Sequence, residues 1–192
     1  MPPLYLGRYS LGSRSRTEDI SPKMARFTGK SVSTDKASAF GPRVTVFAGD
    51  LFPDETTVGV APFRDLEGRS LYVGTAIFDD SAVPCQINPE TISSGKRPAT
   101  RQVRQAQPTR YDVLVISSSM QWVPAEHGEI PPERYPVHGG HEHSSPHLYH
   151  AIARIGNTFI PGKTSPALSG AYVTYGGEEY FFDSDYYVLC WR

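Results

Sequence analysis

Two cysteines in 192 residues, Cys85 and Cys190, are too few to staple a fold together. The opening Met1-Pro2-Pro3-Leu4-Tyr5-Leu6-Gly7 lacks a basic flank followed by a long apolar core, so it does not read as a secretory signal peptide. Reduced thiols are therefore expected, in the cytoplasm or after export without such a peptide. No apolar run approaches the ~20 residues that a membrane-spanning helix needs. No segment repeats apolar residues at helical spacing for long enough to form a long amphipathic helix. A large net charge is also missing, at −1. What is abundant is glycine, proline and tyrosine, at 17, 17 and 11 residues. That mixture favours turns and short strands, and an all-β chain.

The small net charge conceals an asymmetry. Residues 1–43 carry eight Lys or Arg against three acids, and residues 44–192 carry eleven against seventeen. The acidic main body argues against nucleic-acid binding through it. Residues 1–43 read as a weakly ordered basic arm, with short strands conceivable at Leu4–Leu6 and Met24–Phe27. A second basic stretch, Lys96 to Arg110, has five cations and no acid. It reads as a solvated loop, with a basic binding patch as the sharper alternative.

From Val44 onward the chain is duplicated in outline. Leu71-Tyr72-Val73-Gly74-Thr75-Ala76 matches Leu148-Tyr149-His150-Ala151-Ile152-Ala153. With Tyr72 set on Tyr149, Asp65 falls on Glu142, Pro84 on Pro161 and Pro89 on Pro166. Each unit also closes alike, in Tyr111-Asp112-Val113-Leu114 and Tyr186-Tyr187-Val188-Leu189. The units run over 44–117 and 121–192. Each reads as short strands between turns: Leu71–Phe78 and Leu148–Ile155 as half-buried strands, Ala171–Tyr175 as a strand ending at Gly176-Gly177, and Tyr111–Ile116 and Tyr186–Trp191 as closing strands. Units of about 70 residues bury little alone, so two copies sharing one core are expected.

Several stretches invite a chemical reading. All six histidines lie between His127 and His150, and His138, His141, His143, His147 and His150 with Glu142 could be arranged around zinc. Pro146 and the Gly139-Gly140 pair argue against the helix of a His-Glu-x-x-His site. The simpler reading is a polar turn, or a rim that changes charge near pH 6.5. Gly156 to Thr164 looks like a phosphate loop, but it places five residues between its glycines. Pro161 also removes a backbone donor. Leu168-Ser169-Gly170 lacks the glycine that a nucleophile elbow requires.

The ordered blocks Trp122-Val123-Pro124-Ala125, Ile130-Pro131-Pro132, Gly139-Gly140, Leu148-Tyr149, Ile160-Pro161-Gly162-Lys163, Tyr175-Gly176-Gly177-Glu178-Glu179 and the closing Tyr-x-Val-Leu resemble the DM-nine repeat. The resemblance covers 121–190 and is weaker in the first unit. It implies an all-β protein of two tandem repeats related by a pseudo-twofold axis. Characterised members include mannose-binding, dimeric pattern-recognition lectins, and related repeats occur in natterin-like proteins. In the lectins an acid after the Gly-Gly turn and the lysine of the Pro-Gly-Lys turn recognise sugar. Carried over, these are Glu142 and Lys163, with Asp65 and Gln86 in the same register of the first unit.

A carboxylate accepting from vicinal hydroxyls and an ammonium donating to them would suit a hexose. Tyr135, Tyr175 or a histidine could add a flat face. The expectation is a non-enzymatic lectin for mannose or related glycans, without cofactor or metal, binding at ~0.1–10 mM per site and gaining avidity through two sites or a homodimer. Two alternatives stand beside it: an intracellular protein-interaction module whose sugar site has decayed, and a metal-dependent hydrolase built on the histidines.

Overall fold

The computed structural model describes residues 39–95, 108–143 and 145–192. Most of the basic arm, including Leu4–Leu6 and Met24–Phe27, and most of the Lys96–Arg110 stretch lie outside the described residues.

Among the described residues the regular structure is almost entirely β. The first half contributes β1 (Arg43–Phe47), β2 (Phe63–Arg64), β3 (Ser70–Ile77), β4 (Ala82–Ile87) and β5 (Arg110–Leu114). The second contributes β6 (Met120–Ala125), β7 (Tyr135–Pro136), β8 (His138–Glu142), β9 (Ser145–Ile155), β10 (Thr158–Ser165), β11 (Gly170–Tyr175), β12 (Glu178–Phe182) and β13 (Tyr186–Trp191). Two short helices, α1 (Glu55–Val58) and α2 (Pro89–Ser93), begin at Asp54 and Asn88. Those side chains accept hydrogen bonds from the first free amides, the normal role of Asp and Asn at a helix start. The hairpin β11–β12 turns at Gly176-Gly177, both with positive φ, as the double glycine predicts.

All neighbouring strands pair antiparallel, in the order β1-β5-β3-β4-β8-β9-β10-β11-β12, with β13 joining β9 to β6 and β7. The duplication is visible in the register. Tyr72 stands opposite Ile87 in β3–β4, and 77 positions later Tyr149 stands opposite Thr164 in β9–β10. Ala76 meets Tyr111 as Ala153 meets Tyr186, and Val44 meets Val113 as Val123 meets Val188.

The halves also interlock reciprocally. β8 runs beside both β9 and β4, through Ala82 opposite His141. β2 pairs with β3 and receives a hydrogen bond from the second half, Thr158 Oγ1 to the Arg64 carbonyl. Gly140 makes the β4–β8 seam possible. Its φ of 152° suits glycine, and a Cβ there would overlap the Ala82 carbonyl oxygen.

The apolar core crosses the boundary between halves. One cluster gathers Val46, Tyr72, Cys85, Ile87, Tyr111 and Val113. A second gathers Ala151, Ile160, Val173, Tyr186, Val188 and Cys190, and takes in Leu71 from the first half. A third joins Val73 and Leu114 to Met120, Val137 and Leu189. β3 was expected to be half-buried, but Leu71 through Ala76 are all buried. Alternate residues of β3 serve different clusters, so neither face of the strand meets water.

Candidate functional site

Glu142 and Lys163 come together. Lys163 Nζ donates to Glu142 Oε1 at 2.9 Å, and the two side chains are 4% and 18% exposed. Both were expected on turns, but both lie in strands. Glu142 ends strand β8, and Lys163 sits within β10, opposite His150 on β9 and Tyr172 on β11. The Pro-Gly-Lys segment is strand because its partners on either side supply the ladder. Pro161, which has no N–H, precedes the first pairing with β11 at Gly162. Gly162 is needed for close packing, since a Cβ would collide with the Tyr172 backbone.

Lys163 reaches Glu142 past the intervening strand β9, toward the end where β8 and β9 meet. Glu142 stands opposite Ser145, and Ser145 Oγ donates to Ser165 Oγ at 2.9 Å. Ser165 follows Lys163 by two positions, on the same face of β10. The ammonium is thus the buried base of the pair, and the carboxylate is its more accessible part.

The corresponding residues of the first half are placed differently. Asp65 is absorbed by its own turn: Oδ1 accepts from the amides of Glu67 and Arg69, and Oδ2 accepts from Arg69 Nε at 2.7 Å. Burial pushes its carboxyl up, but the hydrogen bonds and charge of Arg69 outweigh this and hold it below the ordinary carboxylate value. Gln86 sits in β4 in the register of Lys163, yet its Nε2 donates to the Thr174 carbonyl of the other half at 2.8 Å. Its Oε1 is buried without a hydrogen-bond partner among the described residues. No hydrogen bond among the described residues joins Asp65 to Gln86, in contrast to the second half.

The histidines diverge in environment. His127, His141, His143 and His147 are exposed, His138 is half-buried and His150 is fully buried. Among the described residues no three His, Cys, Asp or Glu side chains are grouped as metal ligands would be. His138 packs against the rings of Phe40, His147 and Tyr149. Burial, and secondarily His147, lowers its pKa.

Sequence reading missed a polar junction between the halves. Arg43 Nη1 donates to Thr75 Oγ1 at 2.6 Å, and Nη2 donates to the His138 carbonyl at 2.7 Å and lies 3.1 Å from His150 Nε2. A guanidinium can only donate, so Nε2 is the acceptor and the His150 proton sits on Nδ1. Burial, reinforced by the Arg43 charge, drives the His150 pKa well below its ordinary value. Thr75 in turn donates to the Gly139 carbonyl at 2.6 Å. These partners are 32 to 107 residues apart along the chain, and no local spacing connects them. The capture of Asp65, by contrast, was written locally. Asp65-Leu66-Glu67-Gly68-Arg69 is an Asx-type turn with a cation at its close.

The cysteines are unsuited to nucleophilic work. Both are buried, and burial pushes the thiols up, to about 12 for Cys85 and about 11 for Cys190.

Comparison with known proteins follows the same outline. A profile of the DM9 repeat, the DM-nine family of the sequence blocks above, matches residues 65–182. Among solved structures, the nematode sperm cell motility protein MFP2B superposes with a TM-score of 0.54 at 17% identity, covering 88% of this chain and 52% of that one. At that identity the likeness is one of fold alone, and this chain spans about half the length of that protein. None of the curated proteins compared matches.

Proposed function

Since the chain belongs to the DM9 repeat family, we propose that it is a non-enzymatic carbohydrate-binding protein that recognises sugar hydroxyls through Glu142 and Lys163. The observation that carries the reading is the 2.9 Å contact between a nearly buried ammonium and a partly exposed carboxylate. Vicinal hydroxyls are both donors and acceptors. The carboxylate accepts from them and the ammonium donates to them, so one hexose edge satisfies both charges. An ion-paired lysine offers N–H donors rather than the lone pair of a base, which favours binding over catalysis. Mannose-type glycans are the proposed ligands, as in the lectins that share these blocks.

The proposal assigns one such pair to each chain. Asp65 and Gln86 are engaged elsewhere, so the first half contributes scaffold rather than a second sugar site. Avidity then depends on association of chains, a homodimer being the simplest form. A glycan array on wild type, Lys163→Met and Glu142→Gln tests the reading. Binding to mannose-type glycans by wild type, lost in both variants, supports it. No binding to any glycan by wild type refutes it.

The alternative is a protein-interaction module, and it is favoured by the capture of Asp65 and Gln86, which is how a decayed site would look. It predicts partner binding that survives both substitutions.

A further inference from the structure

Hydroxyl recognition by one acid and one lysine discriminates poorly, because every hexose carries hydroxyls. Selectivity needs a second element, and the sheet places one in line with the pair. Lys163 on β10 stands opposite Tyr172 on β11, and Tyr172 stands opposite Phe181 on β12. Residues opposite one another on adjacent strands project from the same face. The Tyr172 and Phe181 rings lie 5.0 Å apart at 49°.

Phe181 is 51% exposed although it is a large apolar side chain. Its ring leans in a defined direction. A Cβ built on Gly170 would stand 2.6 Å from Phe181 Cε2 and 2.8 Å from Cζ, so the ring covers that glycine. Gly170 is opposite Ser165, Ser165 is hydrogen-bonded to Ser145, and Ser145 is opposite Glu142. A path of side chains, stepped along β9 at the Ser145–Ser165 hydrogen bond, therefore leads from the acid on β8 to the aromatic ring from β12 that leans over Gly170. Ser145, Ser165 and Gly170 along it are small and buried. The accessible features are the carboxylate at one end and the ring at the other. The strands of Lys163 and Phe181 are two inter-strand spacings apart, about 10 Å, and the Lys163 ammonium reaches away from Phe181 toward Glu142 on β8, so one pyranose lying flat on the ring cannot also touch the pair.

We propose that Phe181, supported by Tyr172, is a second subsite that stacks against the C–H face of the sugar residue next to the one held by Glu142 and Lys163. The preferred ligand is then a glycan chain rather than a free monosaccharide. The chemistry suits the ring. The C–H bonds on one face of a pyranose carry slight positive charge, and the face of an aromatic ring is negative. The inference rests on the carbohydrate reading above, and it adds the class of glycan that the site selects.

The test is titration calorimetry on the full chain with free mannose and with a linked mannose disaccharide. Wild type, Phe181→Leu, Phe181→Trp and Lys163→Met are compared. Leucine keeps an aliphatic cover over Gly170 and removes the aromatic face, and tryptophan restores that face. Wild type is expected to bind the disaccharide ~three- to tenfold more tightly than the monosaccharide. Phe181→Leu should lose that gain with monosaccharide affinity unchanged, and Phe181→Trp should keep it. Lys163→Met should lose both ligands. If Phe181→Leu retains the full gain, or wild type shows none, the subsite is overturned while the Glu142–Lys163 reading stands. If wild type binds neither sugar, mannose recognition fails and the subsite fails with it.

Discussion

The Glu142–Lys163 pair makes a sharp energetic prediction. At 2.9 Å the raw attraction is ~6 kcal/mol for an effective dielectric constant of ~20. Desolvation of a nearly buried ammonium and a mostly buried carboxylate offsets much of it. The net coupling should still exceed that of exposed pairs, which is ~0.2–1 kcal/mol, because water reaches little of either group. We expect ~1.5–3 kcal/mol from a double-mutant cycle of wild type, Lys163→Met, Glu142→Gln and the double variant, measured by urea unfolding at pH 7. Methionine keeps most of the aliphatic stem, and glutamine keeps the shape of the acid. The cycle therefore reports the charge pair rather than lost packing. Salt should have little influence, since ions screen poorly what they cannot approach. A coupling below ~0.5 kcal/mol that shrinks further in salt would mean that the pair behaves as a surface pair. The picture of a nearly buried ammonium paired with a mostly buried carboxylate would then be wrong.

Two further predictions concern the seam between the halves. The His150 pKa is lowered in the folded state, so the unfolded chain binds the extra proton. Stability from the neutral ring is therefore present above the ordinary value of ~6.5 and is lost as pH falls below it, at a limiting slope of ~1.4 kcal/mol per pH unit. His138 is shifted in the same direction. His150→Gln, whose carbonyl can still accept from Arg43, should flatten the stability curve between about pH 6.5 and 5 by ~1 kcal/mol per unit. An unchanged slope would remove His150 from the acid response. Gly140→Ala forces a methyl group into the Ala82 carbonyl and should lower stability by about 3 kcal/mol. Unfolding at wild-type denaturant concentration would show that β4 and β8 are not held together at that point.

Much of the fold was legible in the sequence because it follows from local pattern. The paired Leu-Tyr runs became β3 and β9, and the matching closing runs became β5 and β13 in equivalent registers. Gly176-Gly177 made its hairpin because two consecutive positive φ values suit glycine. The assignment of Pro-Gly-Lys and Gly-Gly to turns was wrong for a related reason. Those residues favour turns in isolation, but here Gly140 and Gly162 allow neighbouring backbone to approach within a sheet.

The site divides along the same line. The sequence by itself determined that the chain is β, that it is duplicated, and that Glu142 and Lys163 fall in register with Asp65 and Gln86 of the other copy. The Asp65 turn was also local, since its cation lies four residues on. Only the tertiary structure decided which charges meet. Lys163 reaches Glu142 because β8, β9 and β10 lie side by side, and Gln86 donates to Thr174 because the two halves pack together. The Arg43–Thr75–His150 junction and the alignment of Phe181 with the acid–lysine pair have the same origin. Backbone propensity acts over a few residues, and these contacts join strands separated by tens of residues. Their geometry exists only once the sheet has closed around its shared core.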